Sequence, residues 1–554
     1  MISARSLLLV FFVCTAYNLV NGQSGGPPTT LPLARAGEPT LHGIPSVSFD
    51  PPGLFLTWED DPARSMVIDW HTHHTQTTPN IEYRRRNQGE WTAVSKQSLR
   101  FPHSDHWVHR VRLQGLRPAT IYEFRWGAGS AVYHFQTMPE QADGEPVRVV
   151  FGGDTMHRRS MMDAMNRVAA ATNPDFIVWG GDFAYADGRP DRAHFWVDWF
   201  SSIKETLITP DRRVIPIVLT IGNHEIQKGR DAGSVNYEAT DAYRAEVAPY
   251  FFGLFAFPGQ PGYGALEFGD YLTLLLLDSA HANPVDGAQT QWLRERLSTA
   301  SGTRHVIPVY HVSAYPSFYS YSGRIATAIR RHWVPLFEQH EVRLVFEHDD
   351  HTYKRTFPVR RGIVDFDGIV YMGGGAWGVD TRKPDPPERR WFLVESNDLH
   401  HCIVADIDRD SINLRVLDLN GDVMDRLSIP PYDDNMHTAV KQIFPLAYPV
   451  GNGFWYSDWF GLFNTSRLPW IHHDEHGWLF VRGRAEQVIW FHDPGNGFGW
   501  FWTNPGIYPN LFRMRHRDWV RLDPESGQLV RGLWFFGLSD NVGWLANPHP
   551  EPEF

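Results

Sequence analysis

Five short polar motifs follow one another along the chain, each at the end of an apolar stretch that reads as a buried β-strand. The first two are Gly152-Gly-Asp154 and Gly180-Gly-Asp182-Phe-Ala-Tyr185. Gly222-Asn223-His224-Glu225 is the third, His311 after Val309-Tyr310 the fourth, and Glu347-His348-Asp349-Asp350-His351 the last. Strands of an open α/β fold deliver their C-terminal residues to one edge of the sheet, where such folds build their sites. Two aspartates, a tyrosine, an asparagine and several histidines on one edge make a donor set for two metal ions. A single Gly-Asp after a strand is ordinarily a turn; the ordered set, spread over about 200 residues, carries the reading.

Asp182 heads a Gly-Gly-Asp turn, where a carboxylate can bridge two cations, and Asp154 heads a matching turn. Tyr185 can reach the same ion as a phenolate, Asn223 offers an amide oxygen and His311 an imidazole. His351 follows the apolar strand 342–346. Hard oxygen donors mixed with imidazoles suit iron, manganese or zinc better than calcium. Asp154, Asp182 and Tyr185 place up to three negative charges on the first ion, with His351 neutral, which favours Fe(III). The second ion shares Asp182 and takes Asn223 and His311, which suits divalent Zn, Fe or Mn. Two such ions generate hydroxide at mild pH and clamp a phosphoryl group for in-line attack.

This ordered set resembles the metallophosphoesterase superfamily and, within it, the purple acid phosphatase branch. Asp154 matches the first motif, and Gly181-Asp-Phe-Ala-Tyr-Ala-Asp187 matches the branch's Gly-Asp-x-x-Tyr. Gly222-Asn-His-Glu225 matches the third, and His311 the lone histidine, with Tyr315 and Ser317 at the following positions. His351-Thr-Tyr-Lys-Arg355 matches the tail of the last motif, and Leu277-Asp-Ser279 and Gln291-Trp-Leu293 look like inter-motif segments. The likeness covers about 43–430. It implies a secreted dinuclear-metal phosphoesterase that hydrolyses small phosphate monoesters by metal-bound hydroxide. The metal ligands it implies are Asp154, Asp182, Tyr185, Asn223, His311, Asp349 and His351. Asn223 and His224 would face the substrate, and His224 and His281 are the catalytic candidates.

Two departures bear on that reading. The family ends its last motif with Gly-His-x-His, so with His351 as the second histidine the first falls on Asp349. His348 is one residue out of phase and on an extended segment would point the other way; Asp349 is favoured and His348 stays the alternative. Plant members carry a histidine pair about nine residues after the ligand histidine, where this chain reads Phe318-Tyr-Ser-Tyr-Ser322. That leaves the general acid open, with His224 the best remaining group. His157 does not fit the superfamily's Asp-x-His, and Arg158 and Arg159 read as a helix start. Hydrolysis of diesters or nucleotides is the enzymatic alternative. A surface adhesive or glycan-binding protein with an impaired phosphatase core is the other.

The elements that must position these residues read as three domains. Short alternating strands over 43–139 predict a fibronectin III-like β-sandwich, and Leu113-Gln-Gly-Leu-Arg-Pro-Ala-Thr-Ile-Tyr122 resembles the corner before a late strand of that fold. Over 146–430 apolar strands alternate with helical stretches at 158–171, 290–300 and 325–339, predicting a four-layer αββα-type catalytic domain. Residues 399–429 alternate like two or more strands, and Pro430-Pro431 marks a linker. Over 438–554 the composition changes: ten of the 22 tryptophans follow residue 450, in Gly-Trp phrases about twenty residues apart. Repeated hairpins of this kind predict an aromatic-rich β module, a structural unit first and a glycan or surface contact second.

At 554 residues the chain exceeds one ordinary domain. A net charge of −12 with no basic block excludes a nucleic acid as a stable partner. Residues 1–22 read as a signal peptide, with Arg5, a run of about ten apolar residues and a small-residue end near Gly22. That run is too short for a membrane span, so the mature chain is expected to be secreted, periplasmic or at the cell surface, behind a flexible leader at 23–42. Of the two cysteines Cys14 leaves with the signal, so no disulfide is expected and Cys402 reads as a buried structural thiol.

Overall fold

Along the strand Val147–Gly152 the side chains of Val147, Val149 and Phe151 face one way and Val150 the other, and both sets are buried. Phe176–Trp179 repeats the pattern, with Phe176 and Val178 on the first face and Ile177 and Trp179 on the second. A strand buried on both faces must lie in an inner layer. A computed structural model describes residues 49–531, apart from 74–78, 365–367, 430–439 and short breaks between 442 and 528. The signal peptide and leader read at 1–22 and 23–42 lie outside the described residues, as do the last Gly-Trp phrases.

Two sheets form the inner layers. The first has six strands, in the order Ile217–Leu219, Phe176–Trp179, Val147–Gly152, Cys402–Ile407, Ile412–Leu417 and Val423–Ile429. Its first three strands run parallel, so their C-terminal ends share one edge. The second has seven strands, and its parallel centre comprises Leu272–Leu276, His305–Val312, Leu344–His348 and Val370–Gly373. The sheets meet face to face through one apolar cluster in which Phe151 stacks on Phe346 at a centroid separation of 3.9 Å. Arg159–Ala171 and Ala193–Thr206 cover the outer face of the first sheet, packing Met162, Met165, Trp196 and Trp199 on Val150 and Trp179. The second sheet is covered by Ala288–Thr299, Arg324–His332 and Val334–Gln339. The result is the expected αββα layering.

Arg158 is the residue before the first helix, as its place in the sequence suggested. The single helix expected over 325–339 is instead two, broken at Trp333. Pro335 explains the break: it lacks the N–H an interior position needs and sits in the first turn of the second helix, where that donor is not required. Cys402 is buried and free, and burial pushes its thiol up to about 12.

N-terminal to these layers, two four-stranded antiparallel sheets face each other, with Leu54, Ile68, Trp70, Val111, Phe124 and Phe135 buried between them. The backbone N–H of Arg117 donates to Tyr122 Oη at 2.9 Å, closing the corner expected at 113–122. His71 leaves this sandwich to pack against Phe200 of the helix Ala193–Thr206, with ring centroids 4.2 Å apart. Burial is the main reason that its pKa falls to about 3.

The C-terminal strands from Tyr448–Gly451 to Leu529–Arg531 form a ten-stranded antiparallel sheet in which each strand pairs with the next in sequence. Ile471, Leu479, Val481, Ile489, Phe501 and Leu511 fill one face, and Trp490, Trp502 and Phe512 cluster separately from them. Trp470 and Trp478 stay 38% and 43% exposed, so burial accounts for only part of the tryptophan content. Among the described residues no helix is long and apolar enough to cross a membrane.

Candidate metal centre

The first two motifs are joined by their backbones. Asp154 N–H donates to Gly181 O at 3.0 Å and Thr155 N–H to Asp182 O at 2.8 Å, so the two Gly-Asp turns form one platform. Asp154, Asp182, Tyr185, Asp349 and His351 all have φ between 54° and 71°, in the left-handed region. Such a conformation costs about 1–3 kcal/mol at a non-glycine residue and persists only where the surroundings impose it. Here it lifts each side chain off its strand end toward a common point. Gly222 allows the third motif to approach: a Cβ there would collide with the Asp182 carboxylate.

Asp154, Asp182 and His311 place one donor atom each within 4.8 Å of one another, and all three residues are buried. Around Asp154, His351 Nε2 stands 3.1 Å from Oδ1 and Tyr185 Oη donates to the same atom at 3.4 Å. Around His311, Nε2 lies 3.2 Å from Asp182 Oδ2, 3.2 Å from Asn223 Oδ1 and 3.7 Å from Asp349 Oδ1. Two donor groups therefore flank Asp182, one with Asp154, Tyr185 and His351 and one with Asn223, His311 and Asp349. Both histidines have their Nδ1 at a backbone carbonyl, His311 at Gly180 O (2.8 Å) and His351 at Asp380 O (3.3 Å), leaving Nε2 for the centre. That outer support is how metal-binding histidines are held.

The charge balance fits cations. Burial opposes charge on Asp349 and, despite His311, the neighbouring Asp154 and Asp182 help push its carboxyl up to about 7. His311 shows the converse: burial disfavours its cation, yet Asp182 and Asp154 hold its pKa well above the ordinary value. A buried group of carboxylates, phenol and imidazoles that draws positive charge onto His311 suits metal ions, which would supply that charge in its place. The centre opens into a cleft of about 520 Å³ lined by Asn223, His224, His281, Tyr319, Arg324 and Asp349, among others.

Residues 51–137 match the family model for the purple acid phosphatase N-terminal domain, and residues 147–353 match that for calcineurin-like phosphoesterases. The chain carries a purple acid phosphatase-type N-terminal domain followed by a metallophosphoesterase domain. An uncharacterized protein of Mycobacterium tuberculosis is 25% identical over 68% of this chain and 71% of its own length. Purple acid phosphatase 15 of Arabidopsis thaliana is 26% identical over 49% of this chain and 53% of its own. A purple acid phosphatase from yellow lupin (Lupinus luteus) seeds superposes with a TM-score of 0.56 at 16% identity, covering 70% of this chain and 76% of that one.

In this metallophosphoesterase the last motif resolves into two directions. The His348 imidazole packs beneath the platform, where a Cβ on Gly180 would collide with it, while Asp349 faces His311 in the cleft. Neither ring nitrogen of His348 has a partner among the described residues, and burial keeps that ring neutral. His224 lies at the cleft, its Nδ1 2.5 Å from Asp187 Oδ1 and its Nε2 3.8 Å from Asp182 Oδ2. Burial opposes its charge, but Asp182 and then Asp187 outweigh that and raise its pKa. His281 also reaches the cleft, at the back: it is 2% exposed, with Nε2 3.1 Å from Ser279 Oγ, and burial lowers its pKa to about 3. His157 lies outside both donor groups, edge-on to Tyr185 and close to Asp380.

Several residues that shape the centre carried no signal in the sequence. Glu225, read there only as the end of a motif, accepts the backbone N–H groups of Asp182, Phe183 and Gly222 and so locks the second and third motifs together. Gly375 sits against Asp154, where a Cβ would collide with the carboxylate. Asp187 was visible as part of the Tyr185 motif, but its partnership with His224 needed the fold. Buried Glu347, bonded to Lys354, accepts from Tyr310 Oη (2.7 Å) and Ala314 N–H (2.7 Å), fixing the loop after His311.

Proposed function

We propose that this metal-dependent phosphoesterase hydrolyses small phosphate monoesters at a dinuclear centre whose two ions Asp182 would help to hold. The observation that carries the reading is the convergence of Asp154, Asp182 and His311 donor atoms within 4.8 Å, flanked on each side by further donors. Asp154, Tyr185 and His351 would hold the first ion, Fe(III). Asn223, His311 and Asp349 would hold the second, divalent Zn, Fe or Mn. When bound, the ions supply a nucleophilic oxygen at mild pH and the charge to clamp a phosphoryl group.

The chain's own residues set the geometry around that chemistry. Asn223 and His224 face the phosphoryl group from the 3₁₀ turn Asn223–Glu225. With Nδ1 held by Asp187, His224 directs Nε2 at a phosphoryl oxygen. Buried, neutral His281 supports the wall behind His311, their ring centroids 5.6 Å apart. Lys228 and Arg324 line the mouth and offer positive charge to an incoming anion. The N-terminal sandwich buttresses the first sheet, export follows removal of 1–22, and the Trp-rich strands between 448 and 531 form a separate module whose part-exposed Trp470 and Trp478 serve glycan or surface contact.

Purified protein should turn over an aryl phosphate, lose that activity to a chelator and carry a visible tyrosinate–iron absorption band. Tyr185→Phe should abolish the band. A colourless, fully active protein without iron would overturn the Fe(III) assignment.

A further inference from the structure

One wall of the cleft is built by the loop that follows His311, and that loop is held from two sides. Asp350 accepts the backbone N–H groups of Ser317 (2.6 Å) and Tyr319 (3.3 Å), and Ser317 Oγ also donates to it at 3.1 Å. From the other side, Arg390 donates to the carbonyls of Pro316 (2.6 Å), Phe318 (3.3 Å) and Tyr319 (2.8 Å). Rigid placement of this kind is what a site needs from a group that must meet a reacting atom.

Tyr319 is the residue so placed. Its ring lines both the metal cleft and an adjoining hollow of about 320 Å³. Arg382 Nη1 donates to Tyr319 Oη at 2.7 Å and to the Asp349 carbonyl at 2.9 Å, so one nitrogen ties the phenol to the turn that carries Asp349. The Arg382 guanidinium also lies over the Tyr319 ring, 5.1 Å from its centroid. Because Arg382 occupies a lone pair of the oxygen, the phenolic proton is available for another acceptor. None is found for it among the described residues, and Tyr319 is 42% exposed and lines the cleft.

Resting on the phosphoesterase reading, we propose that Tyr319 is a catalytic residue that donates its phenolic hydrogen bond to the leaving-group oxygen of the ester, with Arg382 as its positioning residue. The ester's organic group then extends past Tyr319 into the adjoining hollow, whose rim carries Arg324. As the P–O bond breaks, negative charge grows on the leaving oxygen. A donor fixed at that point is worth most where the leaving group is a poor one, an alkoxide, and little where a phenolate carries the charge itself.

The test compares metal-loaded wild type and Tyr319→Phe on an alkyl phosphate and on a nitrophenyl phosphate. The alkyl ester should lose about 100-fold in kcat/KM and the nitrophenyl ester less than about 3-fold. Arg382→Gln should show the same ordering with a smaller loss, and Arg382→Lys should restore part of it. Metal content should be unchanged in Tyr319→Phe. Equal loss on both esters, or no loss on either, overturns the assignment of Tyr319 while leaving the phosphoesterase reading intact. Wild type that is metal-loaded and turns over neither ester overturns both.

Discussion

The paired catalytic sheets and the C-terminal sheet are both built from alternating strands, but they connect their residues over different distances. In the catalytic layers parallel pairing brings Asp154, Asp182, Asn223, His311 and Asp349 to one edge although almost 200 residues separate the first from the last. In the C-terminal sheet each strand pairs only with its sequence neighbours. A parallel sheet can therefore concentrate distant residues at one point, whereas a meander can only repeat a local surface. Chemistry belongs to the first and an extended face to the second.

The largest expected break in that contrast is Asp182→Ala. Asp182 is the group both donor clusters share, so both metals should leave and activity should fall at least about 1,000-fold, with the N-terminal sandwich still folded. Metal analysis and a sandwich-specific unfolding transition check this together. Asp349→His should act on one side only. Removing a carboxylate from the second site should tighten zinc or iron(II) binding and move the activity optimum down by about one pH unit. His348→Ala should leave metal content unchanged because that ring lies beneath the platform; loss of the second metal there would reverse the assignment.

His71 tests the seam between sandwich and catalytic layers. Its folded pKa, lowered to about 3 by burial, lies below the unfolded value of about 6.5. Its contribution is therefore complete above pH 6.5 and is lost as pH falls toward 3, about 2 kcal/mol by pH 5. His71→Leu should reduce the difference in Tm between pH 8 and pH 5. A difference equal to that of wild type would show that another group controls acid sensitivity. The smallest effect on activity is expected from deleting 438–554. The C-terminal sheet meets the catalytic domain at Phe357 and Tyr448, with ring centroids 5.7 Å apart, and neither residue lines the metal cleft. Turnover of a small ester should stay within about two-fold, at a stability cost of about 1–2 kcal/mol.

The candidate metal edge was legible in the sequence because each proposed ligand sits within a few residues of an apolar strand, and strand ends are local features. The choice of Asp349 over His348 followed from the register of the resembled family's last motif, counted back from His351, together with side-chain alternation. What the sequence did not carry were contacts closed by the fold: Glu225 gathering three backbone N–H groups, Gly375 yielding space to Asp154, and Arg382 joining Tyr319 to Asp349. The helix over 325–339 was misjudged because its apolar periodicity runs on across Trp333, while Pro335 restarts the backbone. Tryptophan content could not distinguish Trp502, which is buried, from Trp478, which is not; their places on the sheet decide that.

Anomalous scattering from crystals of the metal-loaded protein, collected across the iron and zinc edges, tests the two-metal claim most directly. The account predicts two peaks, one on each side of the Asp182 carboxylate. The iron peak should lie among Asp154, Tyr185 and His351, and the divalent one among Asn223, His311 and Asp349. A single peak, or a second one coordinated by His348, would contradict it.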